Sequence, residues 1–271
     1  MSFCGFTRTV VAAGALLCAW PVFAITSNPL VRMYEDDLMF LLSFDDGTSQ
    51  PDVGMSESPR HLTCETGEGG VIGRCMTAGS LRFRNGLGSP VIDLTRPGSL
   101  IVWVKMCRMP DPATKEPGQP FIAWDMGVNK RLILQKSPDV NWGFGNVRLH
   151  YRGGGQGARY VRYVDFPMPV TTCTPGVWRM LVVVWTADKF GLSLDGEPVR
   201  ETVCGFPFSD CALDVFGPAL NLPPEQRIFA VDEVAVLSRR LSDAEIKSIH
   251  DAFGATTVLS FADSRPTRKG R

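Results

Sequence analysis

The sequence has no excess of charge: 28 Lys and Arg stand against 28 Asp and Glu over 271 residues. A general nucleic-acid binder would carry a clear basic surplus, so that class is excluded. There are three His and no pair of Cys in C-x-x-C spacing, which removes the common zinc and thioredoxin-like signatures. No Gly-x-Ser-x-Gly surrounds any Ser, and Gly153-Gly154-Gly155 is not followed by the Lys-Ser/Thr of a phosphate-binding loop. His61, His150 and His250 sit in unrelated contexts, so each reads as a packing or surface residue rather than a triad member. Internal repeats and low-complexity linkers are also missing.

The start of the chain reads as a targeting segment. Arg8 is the only charge before Arg32, and the apolar run Val10 to Ala19 follows it. Pro21 and the small-residue site Val22-Phe23-Ala24 complete a signal-peptide pattern with cleavage expected after Ala24. The run is shorter than the roughly 20 residues that span a bilayer, and nothing after Ala24 resembles a transmembrane helix. Removing residues 1–24 from 271 leaves 247, with 27 basic against 28 acidic side chains. The expected destination is outside the cell, the periplasm or the cell envelope.

What is present is a series of short β-rich runs punctuated by Gly and Pro, the pattern of an all-β domain. Leu38 to Phe44 closes on Asp45-Asp46-Gly47. Ser80 to Phe83, Ser99 to Met106, Phe121 to Trp124, Arg131 to Gln135, Val147 to Tyr151, Tyr160 to Phe166, Trp178 to Trp185 and Phe229 to Leu237 follow. Asp195-Gly196 predicts a two-residue hairpin turn. One helix is expected near the end, with Ser242 as N-cap and Glu245 completing a capping box. Its apolar positions Ile246, Ile249 and Phe253 share one face, and Gly254 is expected to stop it. The domain therefore spans 25–254, and 255–271 reads as a basic, disordered tail.

These pieces, in order, resemble the laminin-G-like jelly roll of the concanavalin A-like lectin and glucanase superfamily. The likeness rests on Leu41-Leu42-Ser43-Phe44-Asp45-Asp46-Gly47, on Gly70 to Cys75 running into Leu81-Arg82-Phe83, and on Gly98 to Lys105. It continues through Trp178 to Trp185 with Leu194-Asp195-Gly196, and ends on Val231 to Leu237 with Arg240 to Ile246. The resemblance implies two curved antiparallel sheets face to face, a two-sheet jelly-roll sandwich with one short C-terminal helix. It says little of function, because such folds host many.

Glycosidases need two carboxylates flanking the scissile bond. The E-x-D-x-x-E of the superfamily's glucanases is absent, and the adjacent Asp232 and Glu233 should face opposite ways on a strand. The expectation is therefore a non-catalytic module. The superfamily often holds one structural calcium between its first and last strands, which implies Asp45, Asp46 and Asp232 as ligands. The bland alternative is that Asp45 and Asp46 cap a turn and Asp232 bonds to backbone.

A basic stretch, Lys130 to Arg162, carries seven Lys and Arg against Asp139 alone. On the strand around Leu149, Arg148, His150 and Arg152 share one face, opposite Val147, Leu149 and Tyr151. This is either a solvated outer face or an anion site, since clustered Arg suits carboxylate and sulfate. Trp142 is the candidate ligand-facing aromatic; Trp103, Trp178 and Trp185 read as packing. Six Cys follow Ala24, an even number suited to disulfides in an oxidising compartment. The expected pairs are Cys64–Cys75 and Cys204–Cys211, each closing a short Gly- or Pro-containing loop, and Cys107–Cys173, implied by neighbouring antiparallel strands in this fold. The leading expectation is a glycan-binding module. A domain docking onto an extracellular protein and a divergent hydrolase are the alternatives.

Overall fold

The computed structural model describes residues 28–54, 64–83, 92–107, 119–126, 130–136, 146–153, 160–167, 174–204 and 212–263. The expected signal peptide, Trp142, Cys173, Cys211 and the last eight residues lie outside the described residues. Helix α1 (Pro29–Tyr34) comes first. Then come β1 (Leu38–Leu42), β2 (Cys64–Glu68), β3 (Arg74–Phe83), β4 (Gly98–Met106), β5 (Gln119–Asp125) and β6 (Arg131–Lys136). β7 (Asn146–Gly153), β8 (Tyr160–Pro167), β9 (Trp178–Trp185), β10 (Lys189–Leu194), β11 (Arg200–Val203), β12 (Ala212–Phe216) and β13 (Phe229–Leu237) follow, and α2 (Asp243–Asp263) is last.

The protein is all-β, and its described strands form one hydrogen-bonded path: β11-β10-β9-β4-β13-β3-β12-β5-β6-β7-β8, with β1 on β13 and β2 on β3. Two separate sheets were expected. β3 is the reason for the difference: Cys75 and Met76 pair with β2, Met76 also pairs with β13, and Ser80 to Phe83 pair with β12. One long strand thus passes from one layer to the other. The path curls until its ends meet, where the Arg200 guanidinium on β11 lies 4.2 Å from the Phe166 ring on β8 and donates to the Asp165 carbonyl at 3.3 Å.

The interior holds alternate residues of both layers, among them Phe40, Leu100, Val102, Leu132, Leu149, Leu181, Val183 and Trp185. A second apolar cluster fills the space between the outer face of β4, β9 and β13 and the two helices. Strands there are buried on both faces, which is why they read as unbroken apolar runs rather than alternations. The phase of β13 shifts partway. Phe229 and Val231 face the main core, then Val234 and Val236 do. One extra residue sits in β13 between the pairs Asp232↔Trp103 and Ala235↔Ile101, a β-bulge with Glu233 at φ +50°.

Local signals hold where they are strongest. Asp195 and Gly196 both have positive φ, and Glu197 N donates to Leu194 O at 2.9 Å, as a type I′ turn requires. Ser242 Oγ and N both donate to Glu245 Oε2, at 2.8 and 2.9 Å. Ile246, Ile249 and Phe253 are fully buried. The helix nevertheless runs through Gly254 to Asp263. A single Gly costs a helix about 1 kcal/mol relative to Ala, too little to stop one that is capped and docked.

Candidate functional site

Helices cover one outer face of the molecule; the other, formed by the C-terminal half of β3 with β12, β5, β6, β7 and β8, carries no helix among the described residues. Its side chains follow from strand alternation. In β6 and β7, Leu132, Leu134, Val147, Leu149 and Tyr151 turn into the core. Arg131, Ile133, Gln135, Arg148, His150 and Arg152 therefore turn out. Cross-strand register arranges them in rungs: Gln135, Arg148 and Asp165; Ile133, His150 and Tyr163; Arg131, Arg152 and Val161.

The basic character of this stretch is largely answered by acids from other strands. Arg148 donates from Nε and Nη2 to both oxygens of Asp165, at 2.7 and 2.8 Å, and its guanidinium lies 4.5 Å from the Tyr163 ring. Arg82 binds Asp214 at 2.6 and 2.9 Å and Asp125 at 2.6 Å. Arg131 reaches the same Asp125 oxygen at 3.7 Å. Arg152 is exposed and has no ion pair among the described residues. Tyr163 keeps 41% of its surface open. His150 is half-buried between Arg148 and Arg152; burial, and then those two charges, push its pKa down to about 4. It is a neutral hydrogen-bonding group near pH 7.

Asp125 and Asp214 are the two carboxylates this face brings together. Burial raises the Asp214 pKa even though Arg82 opposes it. The Arg82 guanidinium bridges the pair, donating to both.

A second acidic group lies where β1 and β13 meet. Asp232 and Glu233 are both fully buried. The bulge cancels the alternation expected of them, and both feel the charge of Asp45. Asp232 Oδ2 accepts from Val71 N at 2.7 Å and Oδ1 from Glu233 N at 3.0 Å. Glu233 Oε2 accepts from Asn28 Nδ2 at 2.6 Å, while Oε1 has no hydrogen-bond partner among the described residues. Burial first, then neighbouring carboxylates, raise both pKa values well above the usual range, and burial carries Asp45 to about 6. Of the three residues implied as calcium ligands, Asp45 and Asp232 therefore approach each other. Asp46 does not join them: it is exposed, and its carboxylate caps Thr48 N at 2.7 Å. Among the described residues no three His, Cys, Asp or Glu side chains are arranged to hold a metal ion. The backbone N–H groups of Val71 and Arg74 donate to one oxygen each of Asp232 and Asp45.

No protein-family model and no curated protein sequence matches the chain. Solved structures do match in fold. Domain 4 of AbnA, an extracellular arabinanase of Geobacillus stearothermophilus in complex with arabinotriose, superposes with a TM-score of 0.54 at 17% identity, covering 79% of this chain and 98% of that one. The binding domain of Paraclostridial Mosquitocidal Protein 1 gives 0.58 at 10% identity, over 81% and 53%. The ligand-binding domain of botulinum neurotoxin serotype D in complex with N-acetylneuraminic acid gives 0.57 at 11% identity, over 82% and 52%. The chain spans about half the length of the two toxin domains. Identities this low show the shared β-rich fold.

The cysteines require a correction. Cys64 and Cys75 carry free thiols. They lie on paired strands, but Cys64 is opposite Gly79 and Cys75 opposite Gly67. That offset is about 10 Å along the ladder, beyond the roughly 7 Å between Cα atoms that a disulfide tolerates. Cys107 is also a free, exposed thiol; its expected partner Cys173, and Cys211, lie outside the described residues. Burial pushes the Cys75 thiol up to about 12. In the native protein iodoacetamide is expected to label Cys107 and spare Cys75 until unfolding, because the thiolate is the reactive form. A Cys64–Cys75 peptide in a non-reducing digest would contradict the β2–β3 register.

Trp178 packs against the helix-side apolar cluster but is only half-buried: its Nε1 donates to Gly69 O at 3.1 Å, and Lys105 Nζ sits 4.7 Å from its ring. Reading single strands missed Arg82, Asp125, Asp214, Tyr163 and Asp165 as members of the outer face. The outward phase of Arg82 and Tyr163 was available from their apolar neighbours; their meeting with residues of β5, β7 and β12 was not.

Proposed function

We propose that this chain is an exported, non-catalytic glycan-binding module of the laminin-G-like jelly-roll type, with its ligand on the outer face of β6, β7 and β8. The observation that carries this reading is the constellation of half-exposed Tyr163, neutral His150 and two Arg on a face left open by the helices. An aromatic ring offers a stacking surface, His150 offers a hydroxyl-matching hydrogen bond, and Arg offers planar donors. The complexes of the structural neighbours with arabinotriose and N-acetylneuraminic acid support a saccharide ligand. Arg82 supports binding over hydrolysis, because its guanidinium lies between Asp125 and Asp214 and donates to both, whereas a glycosidase keeps the space between its two carboxylates for substrate.

Calorimetry of the mature protein against an oligosaccharide panel tests this. Tyr163→Ala is expected to weaken binding about 3- to 10-fold, the value of one stacked ring, with the melting temperature little changed. Full affinity in that variant would move the ligand to another face.

A further inference from the structure

We infer that the outer face selects an acidic saccharide, one carrying a carboxylate or sulfate, and that Arg152 with Arg131 receives the anionic group. This rests on the glycan-binding reading and adds the chemical class of the sugar.

The charge inventory of the face leads there. Arg148 is satisfied by both oxygens of Asp165, and Arg82 by Asp214 and Asp125. Asp125 is thus already engaged by Arg82 when Arg131 reaches it at 3.7 Å, and more than half of the Arg131 side chain is exposed. Arg152 stands directly opposite Arg131 in the β6–β7 ladder. Like charges on directly opposed positions destabilise a sheet. Elsewhere on this face Arg82 and Arg148 each have a close carboxylate; at this rung two Arg face each other, and the one acid beside them, Asp125, lies beyond Arg131 on β5 and is already held by Arg82. An anion placed there would complete the pattern.

The geometry suits a sugar. The Arg131–Arg152 rung lies two residues from the Ile133–His150–Tyr163 rung, so about 7 Å along the strands. A pyranose resting on Tyr163 reaches one rung with its ring and the next with a ring substituent. Arg148 packs on the Tyr163 ring and is held by Asp165, which leaves Arg152 as the cation toward which a substituent extends. His150 lies between the two and contributes no charge near neutrality, so the selectivity comes from Arg.

The experiment uses matched probes on the mature protein: oligogalacturonate and its methyl ester, a sulfated heparin-type oligosaccharide, and neutral arabino-oligosaccharides. An acidic probe is expected to bind roughly 10- to 100-fold more tightly than its neutral counterpart, the range of a charge-assisted hydrogen bond. Arg152→Gln should remove that difference, while Lys130→Gln, an exposed basic site just before β6, should not. Arg152→Lys should recover part of it, and melting curves verify that all variants fold. Preference for oligogalacturonate assigns the group as carboxylate, and preference for the heparin-type probe as sulfate. If ester and acid bind alike, or if Lys130→Gln has the same effect as Arg152→Gln, the inference falls while the glycan reading stands. If no saccharide binds, both fall.

Discussion

Replacing Phe253 by Ala is expected to destabilise the protein by about 3–5 kcal/mol, the cost of emptying a fully buried aromatic site. For a domain of this size that is a fall of roughly 6–20 °C in melting temperature. The ring is wholly buried and lies 5.2 Å from Trp103 between centroids. It anchors α2 to the outer face of β4, together with Ile246 and Ile249. Phe253→Leu, which keeps most of the apolar volume, should recover most of the loss. Saccharide affinity measured well below the melting temperature should be unchanged, because α2 lies across the main core from Tyr163 and Arg152. A loss of affinity in step with stability would mean the two outer faces are coupled.

The second large effect is on pH. Between pH 6.5 and 8.5, without divalent cations, the melting temperature is expected to fall as pH rises. Asp232 and Glu233 are held above the usual carboxylate range by burial and by neighbouring carboxylates, Asp45 among them. Their protons are bound more tightly in the folded state, so their contribution is complete below about pH 4 and is lost as pH rises through their folded values. Asp45, with its pKa carried to about 6, adds the same slope at the acid end of the window and is almost fully ionised by about pH 7.5, beyond which Asp232 and Glu233 carry the fall. His150, with its pKa depressed to about 4, contributes the opposite slope, which ends near its ordinary 6.5. The thiols, raised by burial, add to the same slope as pH nears the ordinary thiol value of about 8.5. A buried carboxylate without a cation costs several kcal/mol, and among the described residues Glu233 Oε1 has no hydrogen-bond partner to offset it. Glu233→Gln keeps an acceptor for Asn28 Nδ2 and removes the charge, so it should flatten the slope and raise the melting temperature at pH 8. Millimolar calcium should leave the wild-type curve unchanged. A calcium-dependent rise at pH 8 would show that these acids take a cation after all, since a ligand bound only to the folded state raises its stability.

Local chemistry was legible in the residues themselves. The capping box of Ser242 and Glu245, the positive-φ pair Asp195-Gly196 and the alternation from Val147 to Arg152 are settled within a few residues, because each depends on backbone geometry that near neighbours share. The all-β class follows from the same short-range signals added together. What needed the tertiary structure lies between strands far apart in sequence. Only register shows that Asp165 neutralises Arg148 and that Arg82 ties Asp214 to Asp125, turning a basic stretch into a face on which Arg152 alone of these Arg lacks an ion pair among the described residues. Only the bulge in β13, set by how both its faces pack, puts Asp232 and Glu233 together when alternation would separate them. The β2–β3 register keeps Cys64 and Cys75 apart although a Gly-rich segment joins them. Sequence specifies which way a side chain points along its own strand; the partner it meets is decided by long-range pairing, which maximises apolar burial across the whole curled sheet.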